Sequence, residues 1–469
     1  MRIYLLVDFG STFTKVTAVD LDSETVLGGA QSPTTVDTDI TIGLENALSQ
    51  LPAECPRRPE DYHGSYACSS AAGGLKIAAI GLVPELTLKA AQMAALGAGA
   101  KILFAHGFEI DEEIINEIES KLCDIVLLCG GTDGGNKKVI IHNAEMLAKS
   151  DLSCPILVCG NRSANSEIRS ILESGNKSIY TASNVLPAVD RIDAEPAQAL
   201  IREIFISHII KAKGLDKAKT LFSKDIIPTP KSTLHAAALL ADGSKSEPGI
   251  GSLLVVEVGG ATTNMHSVES IKPVVKNAVV RGLPEAKVKR TVEGDMGIRF
   301  NARTIYESVG YDVLIEQAIA LDSSYSAEIA EPDSYTSFLS ENVEHIPKNK
   351  EETLLDASLA KSAVKIAAER HAGYMKTEYT ATGEVTVQYG KNLLEVKNIL
   401  GTGGIFKYGV CPEAILESAM FSDETPWSLR PKAAKTYIDS GYLMYAIGLL
   451  SQDFPDEALR IAKKYLRSC

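Results

Sequence analysis

A carboxylate and several hydroxyls gather at one turn near the start of the chain. An apolar run over residues 3–7 is followed by Asp8, Gly10, Ser11 and Thr12, and then by a second alternating run. This pattern predicts a strand, a tight turn and a returning strand. Because Gly10 has no Cβ, a bulky anion can approach the amides after it, and Asp8 can hold a hydrated divalent cation beside that anion. The turn alone fits a phosphate site and also a hairpin that binds nothing.

The same pattern recurs about two hundred and fifty residues later. A buried-type run over residues 253–258 contains Glu257 and leads into a glycine and hydroxyl turn before a returning strand. The predicted binding residues of this second turn are Gly259, Gly260, Ala261, Thr262 and Thr263. Two such hairpins facing each other across a cleft would clamp a polyphosphate, with Asp8 and Glu257 as the catalytic and metal-binding pair that shares a Mg²⁺ or an activated water.

A third motif follows a strand-like run over residues 396–400. It consists of Gly401, Thr402, Gly403 and Gly404. A flat ring could lie against a backbone without side chains, near amide donors at a helix N-terminus. Such glycine turns are common, so the prediction of a nucleotide-base site depends on the position of this turn after both hairpins.

Composition narrows the class of protein. The chain has 469 residues, 45% of them hydrophobic, and a formal net charge of −13, which excludes a nucleic acid or an anionic membrane surface as a favoured partner. No apolar stretch approaches the roughly 20 residues of a membrane-spanning helix, and the chain opens on a strand, so we expect a cytoplasmic protein. None of the eight cysteines forms a C-x-x-C pair, which indicates reduced thiols and not a zinc site or disulfide framework.

The elements that must position these motifs predict an α/β protein. We expect a first domain over residues 1–245 and a second over residues 250–435, separated by a polar, turn-rich stretch. Alternating strands and helices over about residues 76–187 predict an open parallel α/β subdomain inserted in the first domain. The C-terminal residues 436–469 are predicted as helices that cross back to the first domain, beginning with a small-residue helix over residues 437–450.

Other polar stretches have two interpretations. A glycine-rich loop over residues 130–136 follows an apolar strand, which fits a binding loop and equally a turn whose Asp133 caps the next helix. Small residues over 68–74 fit close packing or close approach to a ligand. The charged residues Glu293, Asp295 and Arg299 could reach the cleft, but a solvated turn is the favoured prediction for them. Lys15 is likewise predicted to be solvated in preference to binding phosphate.

The order of these motifs resembles the actin, sugar kinase and Hsp70 superfamily of ATP-binding proteins. More narrowly, residues 8–15, 68–75, 130–135 and 258–263 look like the glutamate mutase L family, also called MutL. The resemblance implies two actin-like, ribonuclease H-like domains around a cleft that binds ATP or ADP with Mg²⁺. It also implies an ATP-driven accessory factor that reactivates an adenosylcobalamin-dependent mutase by releasing damaged cobalamin, so that cobalamin is involved only through the partner enzyme.

Two residues depart from the superfamily pattern. Glu257 stands where an Asp is usual, and Asn264 stands where another Asp is expected. The longer acid moves the carboxylate outward by one methylene. Alternatives from other classes are a small-molecule kinase on the same scaffold, for which Asp133 is a candidate general base, and a nucleotide-gated filament protein.

Overall fold

The architecture comes from a computed structural model that describes residues 1–10, 13–35, 39–69, 76–98, 100–189, 191–204, 220–275, 278–380 and 383–469. The predicted ligands Ser11 and Thr12 lie outside these residues, as do residues 70–74 of the small-residue run at 68–74. Within the described residues, no helix combines the length and the apolar character needed to cross a membrane.

The secondary structure is a mixture of short strands and helices. The strands are β1 (Ile3–Phe9), β2 (Phe13–Asp20), β3 (Thr25–Pro33), β4 (Gly64–Ser69), β5 (Lys76–Gly81), β6 (Lys101–Gly107), β7 (Ile125–Leu128), β8 (Ile156–Val158), β9 (Ile179–Thr181), β10 (Ile227–Pro228), β11 (Leu253–Val258), β12 (Thr263–Val268), β13 (Val279–Arg281), β14 (Val288–Glu293), β15 (Tyr374–Thr380), β16 (Gly383–Tyr389), β17 (Asn398–Thr402), β18 (Lys435–Asp439) and β19 (Leu466–Ser468). The helices are α1 (Ile40–Ser49), α2 (Lys89–Gly97), α3 (Glu112–Ser120), α4 (Lys138–Lys149), α5 (Asn165–Ser174), α6 (Glu195–Ile204), α7 (Thr229–Asp242), α8 (Ala302–Val309), α9 (Tyr311–Leu321), α10 (Pro332–Glu341), α11 (Lys350–His371), α12 (Gly404–Tyr408), α13 (Pro412–Glu417), α14 (Met444–Leu450) and α15 (Pro455–Tyr465).

Two sheets repeat one strand order. The first sheet runs β3-β2-β1-β4-β10, and the second runs β14-β12-β11-β17-β18, extended by β19. In each, the first two strands along the chain form an antiparallel hairpin, and the fourth strand lies parallel to the first. The chain therefore contains two copies of a ribonuclease H-like sheet, which confirms the predicted α/β fold with two actin-like halves.

Helices α7 and α14 lie between the two sheets. They follow the last parallel strand of each half, and their apolar residues share one buried cluster with Leu6 of the first sheet and Val255 of the second. Ser232 Oγ of α7 donates to the Tyr445 carbonyl of α14 at 2.7 Å. Gly448 permits this close crossing, because a Cβ there would overlap the Ser232 carbonyl.

A third sheet is entirely parallel and belongs to the inserted segment. Its order is β6-β5-β7-β8-β9, with α4 and α5 among the helices that cover it. Its buried residues Ile77 and Leu127 join Leu5 and Phe9 of the first sheet in one apolar cluster. The predicted parallel α/β subdomain is thus present and shares its core with the first sheet, while its bounds as a domain stay a prediction.

Several predicted elements differ from the observed ones. The segment 437–450 was expected to be one helix, but it begins with β18, whose Tyr437 and Ile438 pair with β17 in the second sheet. The helix starts only at Met444. The C-terminal segment therefore supplies two strands of the second sheet besides its helices. The sequence also predicts a helix over residues 197–213. Its part up to Ile204 is observed within α6, and residues 205–213 lie outside the described part of the chain.

Candidate functional site

The two acid-bearing hairpins have the same geometry. Asp8 pairs with Lys15 across the first hairpin, and Glu257 pairs with Asn264 across the second, each two residues before its turn. A backbone hydrogen bond between residues three positions apart closes each turn. It runs from Gly10 N to the Phe13 carbonyl (3.1 Å) in the first hairpin and from Gly259 N to the Thr262 carbonyl (2.9 Å) in the second. Asp8 and Glu257 therefore occupy equivalent positions in the two halves.

Asp8 is held by three neighbours from three elements. Its carboxylate accepts a hydrogen bond from Thr229 Oγ1 at 2.6 Å and lies 3.0 Å from Lys15 Nζ. The Cys68 thiol lies 3.6 Å from the same carboxylate oxygen as Thr229. Only 2% of Asp8 is exposed. Thr229 reaches it because α7 begins there, directly after Pro228 ends β10. These contacts fix the Asp8 carboxylate in one orientation.

Lys15 is not solvated, which corrects the sequence prediction. Besides Asp8, its ammonium contacts Tyr442, at 3.1 Å from the hydroxyl and 4.3 Å from the ring centroid. Burial alone would lower the pKa of Lys15, but Tyr442 and Asp8 outweigh it and hold the pKa well above its usual value. Tyr442 has a left-handed backbone (φ 58°), a conformation that non-glycine residues rarely adopt. A strained residue here indicates that this contact is specified by the surrounding structure.

The Tyr442 hydroxyl is influenced by charges from both hairpins. Burial raises the pKa of its hydroxyl, and the nearby Glu257 and Asp8 carboxylates raise it further, whereas Lys15 lowers it. Charges influence a pKa in this way only over short distances. The charges of both acids therefore act on the Tyr442 hydroxyl.

Glu257 lies in a polar environment of its own. Its Oε2 accepts from Asn264 Nδ2 at 3.0 Å and lies 3.4 Å from His266 Nε2. Burial would raise the pKa of Glu257, but His266, the Arg290 guanidinium and Asn264 outweigh that effect and lower it. Burial keeps the pKa of His266 below its usual value, so near neutral pH the imidazole is uncharged and Glu257 is an anion.

The turn of the second hairpin presents its amides. Its carbonyls are engaged by the segment that follows β14, through Ile298 N to Gly259 O (3.1 Å), Arg299 N to Gly260 O (2.9 Å) and Asn301 Nδ2 to Ala261 O (2.8 Å). The amide N–H groups of Gly260, Ala261 and Thr262 have no hydrogen-bond partner among the described residues. Three consecutive unpaired amides form a cradle that suits the oxygens of an anion.

Other side chains of this turn face inward. The Thr263 hydroxyl donates to the Met296 carbonyl at 2.6 Å and is fully buried. Arg299, predicted to be solvated, instead pairs with the buried Asp356 at 2.5 Å. Glu293 and Asp295 both pair with Arg370, and the Glu293 side chain is only 12% exposed. These charges are therefore part of the support of the turn, and the prediction of a solvated turn was wrong for Arg299 and Glu293.

The glycine motif at 401–404 lies beside the second hairpin. Gly401 and Thr402 belong to β17, one residue pair beyond the predicted strand end, and Thr402 Oγ1 donates to Asp439 Oδ2 at 3.0 Å. Asp439 in turn accepts from the amides of residues 443 and 444 and so fixes the start of α14. Gly403 packs on the end of β11, where a Cβ would overlap the Val258 carbonyl. Gly404 alone faces open space.

The loop at 130–136 is explained by its own hydrogen bonds. Asn161 accepts from Gly134 N at 3.1 Å and donates to the carbonyls of residues 135 and 136. Asp133 Oδ1 accepts from Arg162 N (2.9 Å) and Asn184 Nδ2 (3.0 Å). Asp133 therefore does not cap α4, whose first amides bond to Asn136. The geometry favours the turn interpretation of this loop.

The residues present fit a magnesium nucleotide better than an ion held by protein ligands alone. Within the described residues there is no group of three or more His, Cys, Asp or Glu side chains that could hold a metal. Mg²⁺ is ordinarily bound by one or two carboxylates together with phosphate oxygens and waters, as Asp8 and Glu257 would allow. The amide cradle at residues 260–262 would meet phosphate oxygens.

Three residues of this site were missed by sequence reasoning. Thr229 is the first residue of α7, Asp439 is the last residue of β18, and Tyr442 lies between β18 and α14. Each bonds to one of the predicted motif residues or to Lys15. A signal was available for two of them, because Thr229 and Asp439 lie at the strand-to-helix connections that repeat in the two halves.

Two repeated sheets with equivalent acid-bearing hairpins and two helices between the sheets define an actin-like fold. The family model described as MutL protein matches residues 4–466. Protein MutL of Clostridium tetanomorphum is 41% identical over 466 residues, covering 99% of each chain. The chain belongs to the MutL protein family.

Solved structures with similar chain paths are much more distant. A nucleotide-free acetone carboxylase is 12% identical with a TM-score of 0.41, covering 97% of this chain and 71% of that chain. The activator of the 2-hydroxyisocaproyl-CoA dehydratase from Clostridium difficile, with bound ADPNP, is 10% identical with a TM-score of 0.32, covering 98% and 97%. The fold assignment rests on the strand order and the family match.

Proposed function

We propose that this protein binds Mg·ATP between its two hairpins and acts as the ATP-dependent reactivating factor of an adenosylcobalamin-dependent mutase such as glutamate mutase. The observation that carries the nucleotide site is the matched pair of acids, Asp8 and Glu257, at equivalent registers of two repeated hairpins. The unpaired amides at residues 260–262 support it, because they form a phosphate cradle next to one of these acids.

The residues of the site would have separate roles in binding and hydrolysis. The amides after Gly10 and at residues 260–262 would bind phosphate oxygens, and Gly404 leaves open space for the nucleotide base. A bound Mg²⁺ would offset the phosphate charge. Thr229 and Lys15 hold Asp8, while Asn264 and His266 hold Glu257, so either carboxylate is oriented to position the attacking water.

The link to a mutase rests on the family and on the arrangement of the halves. Nucleotide binding would close the two sheets around the site and hydrolysis would reopen them, which changes the surface offered to a partner. Cobalamin would be involved only as the cofactor of that partner. All eight cysteines are free thiols, which supports a reducing, cytoplasmic location.

A small-molecule kinase is less well supported. Such an enzyme needs a general base within about 3 Å of a substrate hydroxyl or carboxylate. One carboxylate oxygen of the candidate base Asp133 already accepts hydrogen bonds from Arg162 N and Asn184 Nδ2 of the inserted segment.

The test is an incubation of the pure protein with ATP and Mg²⁺, with and without a mutase inactivated by damaged cobalamin. Phosphate release and recovered mutase activity are measured together. We expect recovery that requires ATP. Phosphate transfer to a metabolite without any effect on the mutase would contradict the proposal.

A further inference from the structure

Arg290 of β14 crosses from the second sheet to the inserted segment. It is 7% exposed, and its Nη1 donates to the carbonyls of Leu96 (3.0 Å) and Ala100 (3.4 Å). These carbonyls lie at the C-terminal end of α2 and just after it. Because a helix C-terminus carries partial negative charge, the guanidinium stabilises this end of α2.

The other side of Arg290 leads to Glu257. Its Nη2 donates to Asn264 Oδ1 at 3.4 Å, and Asn264 Nδ2 donates to Glu257 Oε2 at 3.0 Å. Glu257 and the end of α2 are thus joined by a continuous chain of hydrogen bonds. An amide side chain is suited to this middle position, because its oxygen accepts from the guanidinium while its NH₂ donates to the carboxylate. This gives a reason for Asn264 at the position where the first hairpin carries Lys15.

The attachment of α2 does not depend on Arg290 alone. At the other end of the helix, Lys89 Nζ lies 3.3 Å from Glu285 Oε1, in the segment that precedes β14. Arg290 itself has no ion pair among the described residues, and its Nε is buried without a hydrogen-bond partner. A buried cation with such incomplete pairing is costly for stability. A purely structural contact here would be served by an apolar side chain.

We propose that Asn264 and Arg290 are positioning residues that couple nucleotide occupancy at Glu257 to helix α2 and so to the inserted α/β segment. This inference rests on the proposed nucleotide site. A cation bound at Glu257 would draw the carboxylate away from Asn264 and repel the guanidinium. Arg290 would then be held more closely by the carbonyls of Leu96 and Ala100, which tightens the last turn of α2. By linkage, a partner that immobilises α2 would raise the affinity for nucleotide by the same factor by which nucleotide raises the affinity for that partner.

Amide hydrogen exchange of α2 in the full-length protein tests the coupling. Exchange at residues 94–98 is measured without ligand and with Mg²⁺ and the non-hydrolysable analogue ADPNP, and nucleotide affinity is measured by calorimetry. The variants Arg290→Met and Asn264→Ala break the chain of hydrogen bonds between Glu257 and α2 at different places. Lys89→Met is the matched control on the same helix. If Arg290→Met fails to fold, Asn264→Ala still breaks the chain while leaving the cap on α2 in place.

In the wild type we expect at least about threefold slower exchange at residues 94–98 when nucleotide is bound. Asn264→Ala, measured at a nucleotide concentration that saturates the variant by calorimetry, should lose this difference, and Lys89→Met should keep it. A wild type that binds nucleotide without any change at α2, or an Asn264→Ala variant that keeps the change, would overturn the coupling and leave the nucleotide site standing. A wild type that binds no nucleotide would overturn the site and the coupling together.

Discussion

Lys15 and Tyr442 contact each other although 427 residues separate them in the sequence. The ammonium lies 3.1 Å from the tyrosine hydroxyl and 4.3 Å from the ring centroid, while its charge pairs with Asp8 at 3.0 Å. Tyr442 stands in the turn between β18 of the second sheet and α14. A single cation therefore ties the first acid of the site to the C-terminal segment.

Replacement of Lys15 by Met should destabilise the fold. It leaves the Asp8 carboxylate buried without its cation, and the loss of one partner of a buried ion pair costs about 3 kcal/mol. Urea unfolding monitored by circular dichroism measures this change. Tyr442→Phe is the matched control, because it keeps the ion pair and the ring and removes one hydrogen bond, for which we expect about 1 kcal/mol. Equal losses in the two variants would contradict the assigned role of the Asp8 pair.

Gly448→Ala should weaken the packing of the two halves. The added Cβ would overlap the Ser232 carbonyl, a backbone atom that cannot rotate away, so α7 and α14 must separate. Overpacking of this kind costs about 2 kcal/mol or more. Thermal unfolding by calorimetry measures it, and an unchanged melting temperature would show that the helices are less closely packed than the structure indicates.

Gly404→Val should weaken nucleotide binding without lowering the stability of the fold. No atom lies within 4 Å of the position of a Cβ at residue 404, so the fold should tolerate the side chain. If the base of the nucleotide lies against this backbone, the valine should weaken ATP binding by about tenfold, which corresponds to about 1.4 kcal/mol. Calorimetric titration with Mg·ATP tests this, with the melting temperature as the control. Unchanged affinity would remove residue 404 from the site.

Lys391 should make stability depend on pH. It is buried and donates to the Ser267 and Lys287 carbonyls, and burial lowers its pKa from an ordinary 10.5 to about 7. Between these values the unfolded chain binds the proton that the folded protein has lost, so the free energy of unfolding rises with pH. The stability of the wild type relative to Lys391→Met should therefore increase by about 2 kcal/mol from pH 7 to pH 9. Urea unfolding at pH 7, 8 and 9 measures the difference, and a constant difference would show that Lys391 keeps its ordinary pKa.

The sequence predicts those parts of the fold whose signals are local. Both hairpins carry apolar runs that end in an acid and a glycine turn. The sequence also predicts helices over residues 138–149 and 165–174, which are the observed bounds of α4 and α5. The prediction of one helix over 437–450 was wrong because the five-residue strand and the seven-residue helix are each too short to show a period of their own. Strand pairing with β17, which decides the outcome, is a tertiary effect.

The site was predictable only as far as its motifs extend along the chain. Asp8, Glu257 and their glycines repeat within short windows, so the sequence alone singles them out as candidates. The partners Thr229 and Tyr442 come from remote segments, and nothing within the first hairpin signals that Lys15 has them. The same reason explains why Lys15 and Arg299 were predicted to be solvated although each is paired in the interior.

Calorimetric titration of Mg·ATP into the wild type, Asp8→Asn and Glu257→Gln tests the central claim most directly. These substitutions keep the shape of the side chain and remove its charge. A wild type that holds a magnesium nucleotide between the two acids should bind one ATP per chain. We expect each variant to lose most of the Mg²⁺-dependent part of the affinity, by about tenfold or more, while the melting temperature shows that it is folded. A wild type that does not bind ATP, or folded variants with unchanged Mg²⁺ dependence, would contradict the clamp formed by Asp8 and Glu257.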